Sequence, residues 1–134
     1  MRVTAFAVVG ALGFAVQLSL VAALTALAGW PVTAATAFAV EAAVLHNFCW
    51  HWRWTWRDRT GRRAAVAAQL LRFHLANGLA SLVGNVLLSI ALTRAGLNPV
   101  LANVGAVAAM SAANYALADR WVFSRPTVVQ SPAR

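Results

Sequence analysis

The residues of this sequence that are best suited to binding chemistry are concentrated in one segment, HNFCWHWRWTWRDR, from His46 to Arg59. The segment contains four of the six tryptophans and three of the eleven arginines. A guanidinium group is a planar fork that pairs bidentately with phosphate. Tryptophan and arginine also anchor membrane helices at the level of the lipid head groups. The segment alone therefore leaves two alternatives, a phosphate site and an interfacial anchor.

A metal site and an enzyme active site are both disfavoured by the spacing of the reactive residues. His46, Cys49 and His51 are the candidate ligands, but a helix does not gather all three side chains on one face. Cys49 is the single cysteine, so no intrachain disulfide can form. The sequence also lacks a phosphate-binding glycine loop, a nucleophile elbow and a pair of carboxylates suited to acid/base work. We expect a protein that is not an enzyme and that uses no metal or cofactor.

A second group of polar residues lies inside apolar stretches. Residues 77–89 carry Asn77, Ser81, Asn85 and Ser89 at intervals of four, which places them on one face of a helix. Gly10, Gly13 and Gln17 share a face in the same way. Small and amide residues on one stripe commonly join transmembrane helices. The alternative is a hydrated seam through which a polar group can pass.

Glu41 is the acidic residue that lies deepest in an apolar stretch. A carboxylate at membrane depth is unfavourable, so it is expected to face protein or water and to have a partner. We expect that partner to come from another helix, with Gln17, Asn85 and Asn103 as candidates, or from a second subunit. Its role would be that of a proton site or a contact to sugar hydroxyls.

These residues are positioned by four apolar stretches, each long enough to cross a membrane. Hydrophobic residues make up 61% of the 134 residues and charged residues only 10%, whereas soluble domains have about 25% charged residues. A membrane span needs about 20 apolar residues. The sequence therefore predicts an all-α membrane protein with one transmembrane domain over residues 1–134. Its spans are predicted at about 4–28, 32–50, 70–92 and 100–119. The first stretch resembles a secretory signal but is longer than a signal core, so we expect an uncleaved helix.

The arginines indicate how the spans are oriented. Ten of the eleven lie before the first span, between the second and third, or at and after the end of the fourth. The exception is Arg94, between the third and fourth spans. Because positive residues stay on the cytoplasmic side, we predict that both termini and the central loop are cytoplasmic. The formal net charge of +8 is thereby explained without nucleic acid, which we do not expect as a partner.

An internal repeat relates the two halves of the chain. NFCWHWRWTW (47–56) aligns with NYALADRWVF (114–123) at an offset of 67 residues, and upstream positions align at 68. The repeat predicts two copies of a two-helix hairpin. An even number of spans per copy makes the copies parallel. The recurring positions pair as follows: Asn47 with Asn114, Phe48 with Tyr115, Arg53 with Arg120, Trp54 with Trp121, and Trp56 with Phe123.

The doubled motif resembles the GtrA-like family of small four-span membrane proteins. The likeness rests on Asn-Phe-x4-Arg-Trp-Thr-aromatic after the second span, on its echo after the fourth, and on RF...NG within residues 72–78. It extends from about Val3 to Phe123. The family implies a bacterial inner-membrane protein that moves polyprenyl-phosphate-linked sugars to the outer leaflet for cell-envelope glycosylation. The alternative that it implies is an adaptor that recruits or anchors a polyprenyl-phosphate glycosyltransferase.

The resemblance also suggests roles for particular residues. We expect Arg53, Arg120 and Arg72 to bind the lipid phosphate. The residues expected to pack on the lipid or sugar are Trp54, Trp121, Asn47 and Asn114. The expected intramembrane polar path consists of Gln17, Glu41, Asn77 and Asn85. First spans in the family often carry an acidic residue where this chain has Gln17, so any role that needs a charge there does not carry over.

Two further expectations follow from the short chain and its charge pattern. Four helices leave little interior for a head group, so we expect a homodimer. Arg59 lies outside the repeated motif, so its replacement is expected to be nearly silent in lipid binding. A small proton-coupled drug exporter is a third candidate class, but such proteins typically rely on a glutamate in the first helix, which this chain lacks.

Overall fold

The computed structural model describes residues 1–60 and 66–124, with the side chains of residues 79–82 excepted. The described chain is helical and contains no strand. Four helical segments are long and apolar enough to cross a membrane: Arg2–Ala26, Val32–Thr55, Val66–Arg94 and Pro99–Val122. The predicted fold class, an all-α membrane protein with four spans, is confirmed. We name the α-helices α1 (Arg2–Ala26), α2 (Val32–Trp50), α3 (Val66–His74), α4 (Ser81–Arg94) and α5 (Pro99–Leu117).

Three π-helical turns interrupt or end these helices. His51–Thr55 continues α2, Leu75–Ala80 joins α3 to α4, and Ala118–Val122 continues α5. A 3₁₀ turn at Arg57–Arg59 follows the first of these π-turns. π-Turns widen the backbone locally and occur frequently at functional sites. The third span is therefore not the single continuous helix that a four-residue spacing assumes, because its register changes between α3 and α4.

The two short connections between helices use glycine for the same reason. Gly29 has φ +66° and Gly96 has φ +96°, a left-handed backbone that side chains with a Cβ rarely adopt. After each glycine the next helix begins at or beside a proline, whose fixed φ suits a helix start. Asn98 caps α5 by accepting a hydrogen bond from the Val100 N–H at 2.9 Å. The chain thus reverses sharply, and each hairpin brings two spans together.

Small residues allow the helices of each hairpin to approach closely. Ala35 and Ala39 of α2 are fully buried, as are Ala102 and Ala106 of α5. Small side chains at such spacing let backbones pack tightly in a membrane, where dispersion forces replace the hydrophobic effect between helices. α1 packs chiefly on α2, and α4 packs chiefly on α5.

Large aromatic side chains, most of them buried, gather at one end of the bundle. We call it the arginine end because the second and fourth spans end there with Arg53 and Arg120. We call this group the aromatic cluster. Trp56 and Phe123 stack at its centre with ring centroids 4.6 Å apart. It also contains an imidazole that stacks on Phe6 at 4.8 Å. Its members are Phe6, Phe48, His51, Trp56, Phe73, Tyr115 and Phe123.

Contacts within the aromatic cluster occur in matched pairs under the sequence repeat. Phe48 lies 6.1 Å from Phe123, and its counterpart Tyr115 lies 6.1 Å from Trp56. The two π-turns that end the second and fourth spans match in the same way. The main-chain N–H of Trp56 donates to the His51 carbonyl, and the main-chain N–H of Phe123 donates to the Ala118 carbonyl. These pairs support the two-copy organisation, which stays a prediction, as does the single-domain extent of 1–134.

Candidate functional site

A cavity of about 670 Å³ lies between the two hairpins. This volume is within the range of small-molecule sites, about 300–1,000 Å³. All four spans contribute to its walls, and none of the described lining residues is an arginine, aspartate or glutamate. Apolar side chains such as Val40, Val44 and Phe73 form part of the lining. The polar lining residues are Asn47, His51, Asn77, Asn85, Ser111 and Asn114.

Two of the amides in this cavity have buried atoms without a hydrogen-bond partner in the described chain. One is the Asn77 side-chain nitrogen, a donor, and the other is the Asn85 side-chain oxygen, an acceptor. A buried polar group without a partner costs about 1–3 kcal/mol. The cavity therefore offers an unused hydrogen-bond donor and an unused acceptor.

The predicted third-span stripe is only partly reproduced. Asn77 and Asn85 both line the cavity, although the π-turn between α3 and α4 changes the helical register. The Ser89 hydroxyl is buried but is not part of the lining. The side chain of Ser81 lies outside the described residues. Among the members of the stripe whose side chains are described, the two amides line the cavity and Ser89 does not.

The three residues of the first-span stripe, Gly10, Gly13 and Gln17, have different surroundings. Gly10 lines the cavity, whereas Gly13 is buried against the Asn47 side chain. A Cβ at position 13 would overlap that amide, so the glycine is what lets Asn47 turn inward. Gln17 is half-buried and does not line the cavity. The structure thus brings Asn47, Asn77, Asn85 and Asn114 together and leaves Gln17 out of the group.

Glu41 also lies outside the cavity, and its partner is none of the three expected residues. Its Oε1 lies 2.8 Å from Nε2 of His74, a residue of α3. The partner does come from another helix, as predicted, but Gln17, Asn85 and Asn103 were the wrong candidates. Thirty-three positions separate the two residues, so no local spacing could have indicated the contact.

An ionic network at the arginine end surrounds Asp119. Its carboxylate accepts hydrogen bonds from the Trp56 indole N–H and from Arg59, each at 2.9 Å. Arg59 also donates to the main-chain carbonyls of Asp119 and Phe123 at 2.8 and 3.2 Å. Arg2 pairs with Asp58 at 2.6 Å. These contacts tie the start of α1 and the 3₁₀ turn to the end of the fourth span.

Arg59 therefore has a structural role, and the expectation that its replacement is nearly silent in lipid binding stays a prediction. Its side chain is only 10% exposed. It satisfies carbonyl groups at the end of the π-turn Ala118–Val122, where a helix leaves acceptors without partners. Sequence position alone could not reveal this, because Arg59 follows the repeated motif and its partners come from the other half of the chain.

The predicted phosphate-binding residues have the opposite environment. Arg53 and Arg120 are exposed on equivalent π-turns and make no ion pair with any described residue. Arg72 is exposed, and its guanidinium lies 3.5 Å from the Trp121 carbonyl. Trp54 and Trp121 are 47% and 42% exposed. These side chains are arranged so that a ligand at the surface can reach them.

The metal candidates of the sequence are separated in the structure. His51 is 2% exposed and hydrogen-bonds through Nδ1 with the Thr55 hydroxyl at 3.0 Å, whereas Cys49 is exposed. Within residues 1–60 and 66–124, no three His, Cys, Asp or Glu side chains are grouped to hold a metal ion. His51 is thus a member of the aromatic cluster that also borders the cavity.

Comparison with known proteins places this site in a family. The chain is 33% identical over 103 residues to a dolichol-phosphate mannosyltransferase of Pyrococcus furiosus. The alignment covers 77% of this chain but only 28% of that protein. Residues 5–123, which include every spanning segment apart from the first few residues, match the family described as GtrA/DPMS, transmembrane domain. The chain belongs to this family, as the doubled motif at its arginine end predicts.

Proposed function

We propose that the protein translocates a polyprenyl-phosphate-linked sugar across the membrane for cell-envelope polysaccharide synthesis or glycosylation. The observation that carries this proposal is the cavity between the hairpins, which presents amides at membrane depth. A hydrocarbon chain cannot hydrogen-bond with amides, whereas sugar hydroxyls both donate and accept hydrogen bonds. Translocation makes and breaks no covalent bond, so the protein acts as a carrier and not as an enzyme.

In this proposal the phosphate is bound at the arginine end. Arg53, Arg120 and Arg72 are exposed there, and guanidinium groups bind phosphate bidentately. Trp54 and Trp121 are exposed beside them and pack on the prenyl chain or the sugar. The absence of an ion pair at Arg53 and Arg120 among the described residues supports this role, because neither guanidinium is already engaged.

The sugar then passes along the amides of the cavity. Asn77 offers an unpaired donor and Asn85 an unpaired acceptor. Asn47 and Asn114, the matching residues of the two motif copies, also line the cavity. Gln17 and Glu41 were expected on this path but lie outside the cavity lining. The path proposed is therefore narrower than the sequence suggested and is centred on four asparagines.

The proposed setting is a bacterial inner membrane, with both termini and the central loop in the cytoplasm. The contact of Arg2 with Asp58 places the start of the chain and the 3₁₀ turn at one end of the bundle. Arg62, Arg63, Arg125 and Arg134, which also support this orientation, lie outside the described residues.

Cysteines introduced at Arg62, at Arg57 and at Asn98, in a Cys49→Ser background, test the topology. The cysteines at both arginine positions should be labelled from one side of the membrane and the cysteine at Asn98 from the opposite side. Labelling of Arg62 and Asn98 from one side contradicts the four-span topology.

A second candidate function is that of an adaptor that anchors a polyprenyl-phosphate glycosyltransferase. The observation in its favour is the mannosyltransferase relative, of which this chain matches about a quarter. In the adaptor, the arginine end and the central loop would contact the enzyme, and the cavity amides would not matter.

A homodimer is proposed for the translocator, and the mass of the detergent-solubilised protein tests it.

Reconstitution in liposomes tests the main proposal. Liposomes that carry a labelled polyprenyl-phosphate mannose in the inner leaflet are probed from outside with an impermeant sugar-modifying reagent. The proposal predicts that wild-type protein exposes the inner pool and that Asn85→Leu does not. If wild-type liposomes match protein-free liposomes, while the protein co-purifies with a polyprenyl-phosphate glycosyltransferase, the adaptor function replaces the translocator.

A further inference from the structure

Glu41 and His74 form a polar pair on the outer surface of the bundle, apart from the cavity. Their side chains are 56% and 31% exposed, and both lie within spanning segments. Ionisable side chains at membrane depth are unfavourable unless they have partners, and they commonly mark functional sites. A polar pair on the outside of the bundle adds nothing to the apolar core, which makes it a candidate functional site.

The hydrogen bonds of His74 define the proton content of this pair. Its Nδ1 lies 3.0 Å from the Leu70 carbonyl, which only accepts, so Nδ1 carries a proton and donates it. Its Nε2 lies 2.8 Å from Glu41 Oε1, a distance that requires a second proton between the two atoms. The pair is either imidazolium with carboxylate or imidazole with carboxylic acid. In both cases it carries no net charge, which lessens the penalty of its position.

The position of the pair relative to the cavity is the same on both helices. Glu41 comes one residue after Val40 and three before Val44, and both valines line the cavity. His74 comes one residue after Phe73 and three before Asn77, which also line it. Successive residues of an α-helix turn by about 100°, so each member of the pair lies on the face that adjoins the lining face. The pair therefore marks the edge of the cavity where the second and third spans meet.

This edge is suited to passage between the cavity and the lipid. α2 and α3 contact each other only sparsely, whereas the helices within each hairpin pack closely. The π-turn Leu75–Ala80 begins directly after His74 and carries Asn77 into the cavity. A weakly packed seam beside a π-turn is easier to part than the interior of a hairpin.

We propose that Glu41 and His74 form a sugar-hydroxyl binding site at the lateral edge of the cavity. In the imidazolium–carboxylate form, the carboxylate accepts a hydrogen bond from one hydroxyl of the sugar, and Nε2–H of the imidazolium donates to a neighbouring hydroxyl. The two side chains exchange their mutual hydrogen bond for these contacts as the sugar moves between lipid and cavity. This inference rests on the proposed function for the identity of the ligand, but it concerns residues outside the asparagine path.

Binding of two lipids to the detergent-solubilised protein tests the site. The probes are polyprenyl-phosphate mannose and the same polyprenyl phosphate without sugar. Glu41→Gln keeps the size of the side chain but removes the carboxylate, so the dissociation constant for the mannose lipid should rise about ten-fold. Binding of the sugar-free lipid should change by less than about two-fold. His74→Gln should show the same selectivity. Thr33→Val removes a polar group from the same helical stripe of α2 and should alter neither constant.

The outcomes separate this site from a structural role and from the proposed function. Equal weakening for the two lipids, or no change for either, overturns the site. Conversion of a dimer to a monomer by Glu41→Gln, with lipid selectivity unchanged, also overturns it and assigns the pair to contact with a second copy. Selective weakening of the mannose lipid supports the site even if the liposome assay shows no translocation, in which case only the translocator fails.

Discussion

The arginine end and the cavity differ in where their buried polar groups find partners. At the arginine end the Asp119 carboxylate accepts from Trp56 and Arg59 beside a stacked aromatic pair, although Arg59 Nε and the Trp52 indole nitrogen are buried there without a partner in the described chain. In the cavity, Asn77 and Asn85 hold buried atoms with no partner in the described chain. A satisfied network rigidifies a structure, whereas an unsatisfied one is retained at a cost in stability. The difference supports the proposed division of the tryptophans and arginines between scaffold and site, and the proposed assignment of the cavity amides to the site.

The largest effect on stability is expected at the centre of the aromatic cluster. Trp56 is fully buried, stacks on Phe123 and donates to Asp119. Trp56→Ala should lower the free energy of unfolding by about 3–5 kcal/mol, as is typical for a buried aromatic residue. Unfolding in detergent by heat or by SDS measures it.

Trp54 provides the matched control, since it lies in the adjoining π-turn but is 47% exposed. Trp54→Ala should change the free energy of unfolding by less than about 0.5 kcal/mol. It should instead weaken binding of the prenyl lipid. Equal losses of stability from the two substitutions would remove the distinction between scaffold and site within the motif.

Arg59 and Arg57 extend the comparison to charge. Arg59→Gln removes one of the donors to the Asp119 carboxylate and a donor to two main-chain carbonyls, and should lower the free energy of unfolding by about 1.5–3 kcal/mol. Arg57 is exposed and forms no ion pair with the described residues. Arg57→Gln removes the same charge two positions away and should be nearly neutral. Parallel unfolding curves for the two variants test this, and coincident curves would contradict the network.

Arg53 and Arg120 should show the reverse pattern, with a loss of binding and little loss of stability. Charge-assisted hydrogen bonds contribute about 1.5–3 kcal/mol each, so Arg53→Gln or Arg120→Gln should reduce affinity for the phosphate lipid about ten- to a hundred-fold. Arg53→Lys should recover only part of this, because an ammonium group lacks the planar fork. Arg57→Gln is the control in the same lipid-binding assay. An effect of Arg57→Gln as large as that of Arg53→Gln would return the motif to the role of an interfacial anchor.

The smallest change in stability, with the clearest loss of function, is expected at Asn85. Its side-chain oxygen is buried without a partner in the described chain, so Asn85→Leu removes an unsatisfied group. The variant should be as stable as the wild type, or more stable by up to about 1 kcal/mol, yet should not translocate the sugar lipid. Thermal unfolding and the liposome assay are measured on one preparation. Aggregation of the variant would mean that the amide is needed for helix packing.

The sequence by itself determined the class of protein, the number of spans and the family. Spans are read from apolar length, because the membrane has a fixed thickness. The family is read from a motif that occurs twice at fixed spacing, and both signals lie in consecutive residues. The tight turns at Gly29 and Gly96 follow local backbone rules of the same kind.

Only the tertiary structure decided which polar residues meet. Arg53 and Arg59 are both arginines of one tryptophan-rich segment, but Arg59 contacts Asp119 and Arg53 is exposed. Glu41 of the second span meets His74 of the third, although 33 positions separate them in the chain. Gln17 and Asn85 occupy matching positions of the repeat, yet only Asn85 reaches the cavity. Such contacts depend on helix rotation, which the packing of alanines, glycines and the aromatic cluster fixes across the whole bundle. Sequence spacing within a single helix shows which residues share a face, but not what that face contacts.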